Sequence, residues 1–365
     1  MKKASRSMRR LGGWSLTLAL PGAVALFCLM ATTKGRAGTE EGPYRVLPAI
    51  VRGNLAIFPV VANRTYDTSE LLTLDDGIRS GEVVVTEEGN EEGLVRGRSR
   101  PVRSGAEVNE LVLYNNSNRP LLLLAGEIVT GGKQDRIIGA DRIVPAKGGP
   151  MDLNVFCVEP GRWTESSAKF GSMRAQMAQP SVRTPAMAAR NQGEVWANVR
   201  ASNARIAGSL NSTESVEVQG TSSYAKVFAS PPVEAKLEAY GGHAGEEAIQ
   251  RELREKGATG VVVAVNGHVE WADVFTSTDL LAKYWPKLMR SYVAEAMTTA
   301  SAGGTPALSD AQAFMAEGGN GREVMETEPG VYSRTETSGD GFRVFTLRGL
   351  LPGTEYNVHV TKMTD

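Results

Sequence analysis

The sequence predicts an α+β protein, mainly an antiparallel β meander or sandwich with helices packed on it. Apolar runs follow one another over residues 110–163 with short breaks rich in Gly, Asn and Pro, a pattern typical of an antiparallel meander. Asn266 and Gly267 separate two alternating apolar runs, and this dipeptide favours a tight β-hairpin. Residues 278–299 repeat apolar side chains on one helical face, which predicts a long helix packed on the sheet.

Four helix signals follow in chain order. The run TSELLTLDDGI predicts a short helix capped by Thr68 or Ser69. The run EVWANVRASNARIAGSL predicts a second helix, and HAGEEAIQRELREK predicts a charged surface helix that Gly257 ends. The long helix is expected to be capped by Thr278 and to kink at Pro286.

Composition divides the chain into four parts. Residues 1–37 form a signal peptide or N-terminal anchor, and residues 44–299 form the main α+β domain. A Gly/Ala-rich linker over residues 300–322 leads to a C-terminal β-hairpin extension, 323–365, expected to pack back on the main domain. Residues 164–191 are small, polar and Met-rich, which predicts a crossing segment or flap rather than a core element.

The N-terminus predicts export. A cationic start is followed by 23 uncharged residues, 11–33, and then by the small residues Gly35 and Ala37, the pattern of a cleavable signal peptide. Cleavage would make Gly38 the first residue of a periplasmic or extracellular protein. The alternative is an uncleaved membrane anchor over residues 11–33, because a segment of that length can span a bilayer.

Charge argues against nucleic acid as a partner. Residues 1–37 hold seven basic residues and no acidic one, so all 41 acidic residues lie beyond them, against 33 of the 40 basic ones. Such an acidic body lacks the surplus of Lys and Arg that phosphate neutralisation needs. Contact with a membrane is expected only through an uncleaved N-terminal segment.

No motif identifies a metal or a cofactor. His243, His268 and His359 stand far apart, without metal-ligand spacing, and are expected to be separate surface or structural histidines. The run GEIVTGGK is similar to a phosphate-binding loop, but Gly132 precedes the lysine and Gln134 stands where Ser or Thr would hold magnesium. The cofactor therefore stays unknown and no metal is predicted.

Polar residues concentrate at the turns of the meander, and they are the candidate site. They are Glu127, Lys133, Gln134, Asp135, Arg136, Glu159, Arg162 and Trp163. Charged groups beside buried strands must pair or face a cleft, because burying them alone is costly. A structural interpretation makes them ion pairs, with Trp163 covering the core.

A functional interpretation makes the same residues an anion pocket. Lys133, Arg136 and Arg162 would hold a phosphate or carboxylate. Glu159 would act as the general acid or base, with Gln134 as a second catalytic candidate. Trp163 would stack on a flat ring, and Glu127 would be a further ligand contact.

The tripeptide Asp-Arg-Ile occurs at residues 135–137 and again at 141–143. In one straight strand, the even spacing would place Ile137 and Ile143 on a common inward face and separate the two arginines by about 20 Å. One small ligand cannot contact both arginines across that distance. The repeat therefore predicts ion pairs beside a strand, and only the first copy belongs to the candidate site.

These motifs together resemble a known family. The runs GEIVTGGKQDR, FCVEPGRW, QGEVW and GATGVVVAVNGHVEWADVF are similar, in this order, to the ADP-ribosylglycohydrolase- and rhodanese-phosphatase-associated protein family, over roughly Tyr44 to Thr299. Where the family usually has Asn after Lys-Gln, this chain has Asp135. No reaction is established for the family. Its name links it with NAD- and ADP-ribose-handling enzymes, so the resemblance implies a phosphorylated or nucleotide-derived small molecule as the partner.

Two functions stay open. The first is an exported hydrolase or transferase acting on an ADP-ribosyl, NAD-derived or other phosphorylated compound. The second is a non-enzymatic binding or scaffolding domain of the envelope, in which the polar turn residues are structural ion pairs.

Overall fold

The structure, a computed structural model, covers most of the chain beyond the predicted signal. It describes residues 42–88, 110–162, 164–240, 242–299, 303–317 and 321–365. The predicted signal or anchor (residues 1–37) and the candidate residue Trp163 lie outside these ranges. Among the described residues, no helix combines the length and apolar composition needed to cross a membrane.

The strands of the described residues are short to medium in length. In chain order they are β1 (Tyr44–Val46), β2 (Ile50–Arg52), β3 (Leu55–Ala62), β4 (Leu72–Thr73), β5 (Val83–Glu87), β6 (Glu110–Asn115), β7 (Leu121–Leu123), β8 (Glu127–Thr130), β9 (Arg136–Ile138), β10 (Arg142–Val144), β11 (Met151–Cys157), β12 (Gly171–Met177), β13 (Gly260–Val265), β14 (His268–Phe275), β15 (Arg322–Glu328), β16 (Tyr332–Ser338), β17 (Phe342–Gly349) and β18 (Asn357–Thr364).

The helices lie mostly between β12 and β15. They are α1 (Leu74–Ser80), α2 (Pro180–Thr184), α3 (Gln192–Gly208), α4 (Ser212–Gln219), α5 (Tyr224–Phe228), α6 (Pro231–Ala239), α7 (Gly242–Glu255), α8 (Thr278–Thr298) and α9 (Leu308–Ala316). A π-helical turn, Pro185–Ala189, continues α2.

Three sheets organise the described strands. The large sheet has the order β1-β3-β13-β14-β18-β17-β16-β15, with β2 paired to β3. A second sheet has the order β12-β8-β9-β11-β6-β5, and a small sheet has the order β10-β7-β4. The pairs run antiparallel, except that β4 and β7 are parallel. Together with the helices, this topology confirms the predicted α+β class.

Side chains alternate between the two faces of a strand, and both faces of the large sheet and of the second sheet are covered by core residues. In β3, Ile57 belongs to the main core and Phe58 to a separate core on the other face of the sheet. In β8, Ile128 belongs to the main core, whereas Val129 packs into the core shared with the small sheet. The main core therefore lies between the large sheet, the second sheet and the helices.

Helix α8 lies in the middle of that core. The side chain of Ser277 accepts a hydrogen bond from the backbone N–H of Leu280 and caps the helix, so the predicted cap at Thr278 is wrong by one residue. Tyr284 and Tyr292 are fully buried, and the helix packs against β12, β13 and α7. The predicted apolar face thus becomes the helix that connects the two larger sheets.

The predicted hairpin, the predicted second helix and the predicted charged surface helix are confirmed. Asn266 and Gly267 join β13 to β14, both with positive φ. Helix α3 covers most of the predicted second helix, and Gly257 follows α7 with a φ of 66°. The first helix prediction placed the cap wrongly, because α1 begins at Leu74 and Thr73 accepts the capping hydrogen bond from Asp76.

Segments predicted to be irregular contain regular elements. Residues 164–191, expected to be a crossing segment, include β12, α2 and the π-helical turn. Met177 and Val182 there are buried in the main core, so a few apolar residues suffice to dock this polar segment. The expected linker includes α9, whose Phe314 packs on the large sheet.

The C-terminal segment is larger than a hairpin. Residues 322–364 form four strands, and β18 pairs with β14 in the large sheet. Residues 41–365 form one compact unit, so these strands belong to the main domain rather than to an extension.

The Asp-Arg-Ile repeat occupies two strands instead of one. Residues 136–138 form β9 in the second sheet, and residues 142–144 form β10 in the small sheet. Ile137 and Ile143 nevertheless enter the same main core, as predicted.

Candidate functional site

The turn between β8 and β9 requires glycine at two positions. Gly131 and Gly132 have φ values of 142° and 48°. A Cβ atom at Gly132 would lie 2.3 Å from the Phe170 ring, so a larger residue would displace the ring. The backbone N–H of Lys133 donates to Oε1 of Glu87 at 2.6 Å, which fixes the turn on β5.

The turn that follows β11 meets the glycine turn through Arg162. Its Nε donates to Oε2 of Glu159 at 2.6 Å, and its Nη2 lies 3.3 Å from Oδ1 of Asp135. Its Nη1 donates to the carbonyl oxygens of Gly132 at 2.9 Å and of Thr164 at 2.8 Å. Arg162 is thus the link between the two turns.

The predicted anion-binding cations have partners inside the protein. Arg162 is engaged as above, and Arg136, only 2% exposed, donates to the carbonyl oxygen of Gln134 at 2.6 Å. The Nζ atom of Lys133 lies 3.6 Å from Oε2 of Glu87. Buried and half-buried cations are tolerated when carboxylates and carbonyls compensate them, and here the chain supplies both.

The two predicted catalytic residues, Glu159 and Gln134, form contacts that support the turns. Glu159 is 3% exposed and accepts from Arg162, and Nε2 of Gln134 donates to the Glu159 carbonyl oxygen at 3.1 Å. The second carboxylate oxygen of Glu159 lies 3.8 Å from Nζ of Lys226. The Glu159 carboxylate is therefore held in place by cations.

Glu127 lies in a different cluster from the two turns. Its carboxylate is 2.6 Å from Nζ of Lys287 on α8 and accepts from the backbone N–H of Leu124. Nζ of Lys287 is also 2.6 Å from Oδ2 of Asp75. Although burial alone would lower it, the two carboxylates raise the pKa of Lys287, which indicates a charged, structural cluster beneath α1.

A cavity opens beside the meeting point of the two turns. We call it the turn cavity: it has a volume of about 450 Å³ and lies between β8, β12, α5, α6 and α8. Its polar lining residues include Asp135, Ser172, Gln176, Lys226, Glu234 and Arg290. Of the polar residues that the sequence indicated, Asp135 lines this cavity, and its other polar lining residues were not indicated by the sequence.

Asp135 connects the turns to this cavity. Its Oδ1 accepts from the backbone N–H of Gly131 at 3.1 Å, and its Oδ2 accepts from the Ser223 hydroxyl at 3.3 Å. Burial and the nearby Glu159 raise the pKa of Asp135, and the contact with Arg162 opposes this only in part. Asp135 consequently holds a proton more readily than an exposed aspartate.

Two side chains in the turn cavity carry unused donors. Gln176 is 3% exposed, and neither its Nε2 nor the buried Nε of Arg290 has a hydrogen-bond partner among the described residues. An unpaired buried donor costs about 1–3 kcal/mol. A ligand with acceptor oxygens would satisfy both groups.

A second polar cleft lies near the C-terminal end of α8. It has a volume of about 730 Å³ and is lined by Glu270, Glu295, Trp271 and the π-helical turn. Burial and the nearby Glu295 raise the pKa of Glu270 to about 7. The Glu295 carboxylate accepts hydrogen bonds from Ser181 and Gln179.

A buried polar network lies beneath this cleft. Arg183 donates to both oxygens of Asp273, at 2.9 and 3.1 Å, and Tyr292 donates to the same carboxylate at 2.5 Å. Nδ1 of His359 is 2.6 Å from Oδ2 of Asp141, and its Nε2 is 3.3 Å from Oδ1 of Asp273. The network joins α2, β14, α8 and β18, as a structural His359 was expected to do.

The geometry defines an α+β domain with a ligand-sized cavity, lined by both polar and apolar residues, beside the two turns that Arg162 links. The model of ARPP-1, the ARG and Rhodanese-Phosphatase-superfamily-associated Protein domain, matches residues 43–362. Since the match covers most of the chain, the protein belongs to this family, as the sequence motifs suggested. The match extends past residue 299 and includes the four C-terminal strands. Comparisons with curated proteins and with solved structures give no match.

The sequence did not indicate most residues of the turn cavity, because they come from elements that are separate along the chain. Gln176 lies on β12, in a segment expected to be irregular, and Arg290 lies beside the apolar face of α8. The one available signal was Asp135, which stands where the resemblance placed an asparagine.

Proposed function

We propose that this domain binds a small phosphorylated compound, derived from a sugar or a nucleotide, in the turn cavity. A volume of about 450 Å³ falls within the range of about 300–1,000 Å³ typical of small-molecule sites. The observation that carries the proposal is the pair of unused buried donors on Gln176 and Arg290. Guanidinium groups suit phosphate oxygens, and an amide N–H donates to the same kind of acceptor.

The remaining polar groups of the turn cavity suit a sugar. Asp135 and Glu234 offer acceptors to hydroxyl groups, and Lys226 adds a positive charge beside them. Mixed cations and carboxylates are less suited to a simple inorganic anion, because the carboxylates would repel it. A phosphate that carries a hydroxylated ring uses both kinds of group.

Asp135 is the group that we propose for proton transfer if the bound compound is turned over. It lines the cavity, whereas Glu159 is pinned by Arg162. Its raised pKa brings it nearer to the pH at which a general acid works. Glu159 and Gln134 then act by positioning Asp135, since the backbone N–H of Asp135 lies 3.4 Å from Oε2 of Glu159.

A scaffolding domain of the envelope is the second candidate function. The observation that favours it is the engagement of Lys133, Arg136 and Arg162 by the chain's own carboxylates and carbonyls. In that case the turns are structural, and no ligand stabilises the protein.

Export of the domain is part of the proposal. It is supported by the cationic and apolar pattern of residues 1–37 and by the small residues before Gly38. Mass spectrometry of the protein from fractionated cells would find Gly38 at the N-terminus after cleavage. An intact N-terminus in the membrane fraction would instead support an anchor over residues 11–33.

A thermal-shift screen of the chain from Gly38 onward tests the binding proposal. The ligands are ribose 5-phosphate, ADP-ribose, NAD and inorganic phosphate. A ligand at a hundredfold excess over its dissociation constant should add about 2.7 kcal/mol to the free energy of unfolding. Arg290→Gln should remove this gain, whereas Arg251→Gln, an exposed change on α7, should retain it. If none of the ligands raises the melting temperature, the scaffold function is supported instead.

A further inference from the structure

Arg290 borders a second cavity next to the turn cavity. We call it the helix cavity: its volume is about 240 Å³, and its lining includes Leu237, Glu238, Tyr240, Glu246, Met289 and Val293. Arg290 lines both cavities. The two spaces therefore share a wall that contains a guanidinium group with an unused buried Nε–H.

The two cavities are neighbours along the same helix. On α6, Glu234 faces the turn cavity, and Leu237 and Glu238 face the helix cavity. Residues three and four apart lie on one face of a helix, separated by about one 5.4 Å turn. A single extended molecule could thus contact both sets of residues while it passes Arg290.

The cavities differ in size, and both mix polar with apolar groups. The turn cavity is lined by Asp135 and Lys226 together with Phe228, and the helix cavity by Leu237 and Met289 together with Glu246. At about 240 Å³ the helix cavity is smaller than the roughly 300–1,000 Å³ of a complete small-molecule site. It suits one part of a ligand, such as a flat ring.

We propose that one elongated ligand spans both cavities, with an anionic centre at Arg290. This inference rests on the proposed function and specifies its substrate class. The hydroxylated sugar phosphate end lies in the turn cavity, and a flat, partly apolar group lies against Leu237, Tyr240 and Met289. Glu238 and Glu246 accept from the amino group of that ring. The chemistry is that of a nucleoside diphosphate derivative.

Calorimetric titration with a long and a short ligand tests this inference. ADP-ribose carries a flat adenine base at the far side of its diphosphate, whereas ribose 5-phosphate has no base. The chain from Gly38 should bind ADP-ribose at least about tenfold more tightly, equivalent to about 1.4 kcal/mol. Glu238→Trp, an exposed change that fills the helix cavity, should abolish that advantage. Ala235→Trp, also exposed on α6 but outside both cavities, should preserve it.

The outcomes separate the inference from the proposed function. If the two ligands bind equally tightly, or if Glu238→Trp leaves the ADP-ribose affinity unchanged, the elongated ligand is ruled out and binding in the turn cavity stands. The elongated ligand is also ruled out if Glu238→Trp weakens both ligands equally. If neither ligand binds, the inference and the proposed function both fail.

Discussion

At the scale of single residues, Arg162 determines how the two turns are held. It compensates Glu159 and Asp135 and also binds carbonyl oxygens on both turns. Because these contacts compensate the charge of Arg162, the turn that carries it can be buried in a domain of acidic composition. The same contacts explain why this arginine is not free to bind an anion.

Removing the Arg162 charge should destabilise the fold strongly. Arg162→Gln removes the cation that pairs with Asp135 and Glu159, both mostly buried, and leaves Glu159 only the exposed Lys226 at 3.8 Å. Breaking such buried pairs costs about 3–5 kcal/mol. Urea unfolding measures the loss. The control is Arg79→Gln, because Arg79 forms an exposed pair with Asp76 of a kind worth less than about 1 kcal/mol. Equal losses for the two variants would contradict the linking role.

Glu270 should make the stability depend on pH. Because its folded pKa is about 7, above that of an unfolded glutamate near 4.3, the folded state binds more protons between these values. Stability is therefore lost as the pH rises through this window. Glu270→Gln should raise the melting temperature at pH 8 and leave it little changed at pH 4.5. The exposed Glu323→Gln should not show this difference, and a gain that is the same at both pH values would refute the assignment.

At the scale of elements, β18 is joined to the rest of the fold by buried charge. His359 lies between Asp141 and Asp273. Although burial alone would lower it, these carboxylates raise the pKa of His359 to about 9. Arg183 and Tyr292 also face the Asp273 carboxylate. The strand is thus tied to α2 and α8 by electrostatic contacts as well as by backbone pairing.

The His359 contact should weaken at alkaline pH. Because the pKa of His359 is higher in the folded state than in the unfolded state, its contacts stabilise the fold fully below the unfolded pKa of about 6.5. This stabilisation is lost as the pH rises through about 9. His359→Gln should lower the free energy of unfolding at pH 6 and flatten its decline toward pH 9. Denaturant unfolding at several pH values measures this. The exposed His268→Gln serves as the control, and a variant that declines with pH as steeply as the wild type would contradict the prediction.

The elements that were predictable are those with a local signal. Asn266 and Gly267 specify their hairpin, and the apolar spacing of α8 specifies its buried face. In contrast, β12 and α2 carry few apolar residues and are fixed by contacts with α8 and α3. Local propensity therefore could not locate them. For the same reason, the sequence could not show which carboxylates and carbonyls pair with Lys133, Arg136 and Arg162.

At the scale of the whole molecule, the C-terminal strands complete one domain. The predicted boundary at residue 299 excluded them because α9 is surrounded by Gly- and Ala-rich sequence. The pairing of β18 with β14, 82 residues or more away along the chain, cannot be seen in local sequence. Family membership over residues 43–362 agrees with the larger boundary.

A chain that ends at residue 322 should not fold. The deletion removes β16, β17 and β18, exposes the edge of β14 and leaves Asp273 without His359 and Thr361. Circular dichroism of the chain from 38 to 322 should show no cooperative thermal transition. A sharp transition near the melting temperature of the longer chain would instead support a separate C-terminal extension.

The proposed function requires a ligand that occupies the turn cavity and uses its unpaired donors. The side-chain amide of Gln176 reports this directly, because its Nε2 has no partner among the described residues. In an NMR titration of the labelled chain from Gly38 with ribose 5-phosphate, this amide resonance should shift in a saturable manner, and Arg290→Gln should weaken the response. An amide that stays unchanged, at ligand concentrations that reach the millimolar range, would contradict the proposed site.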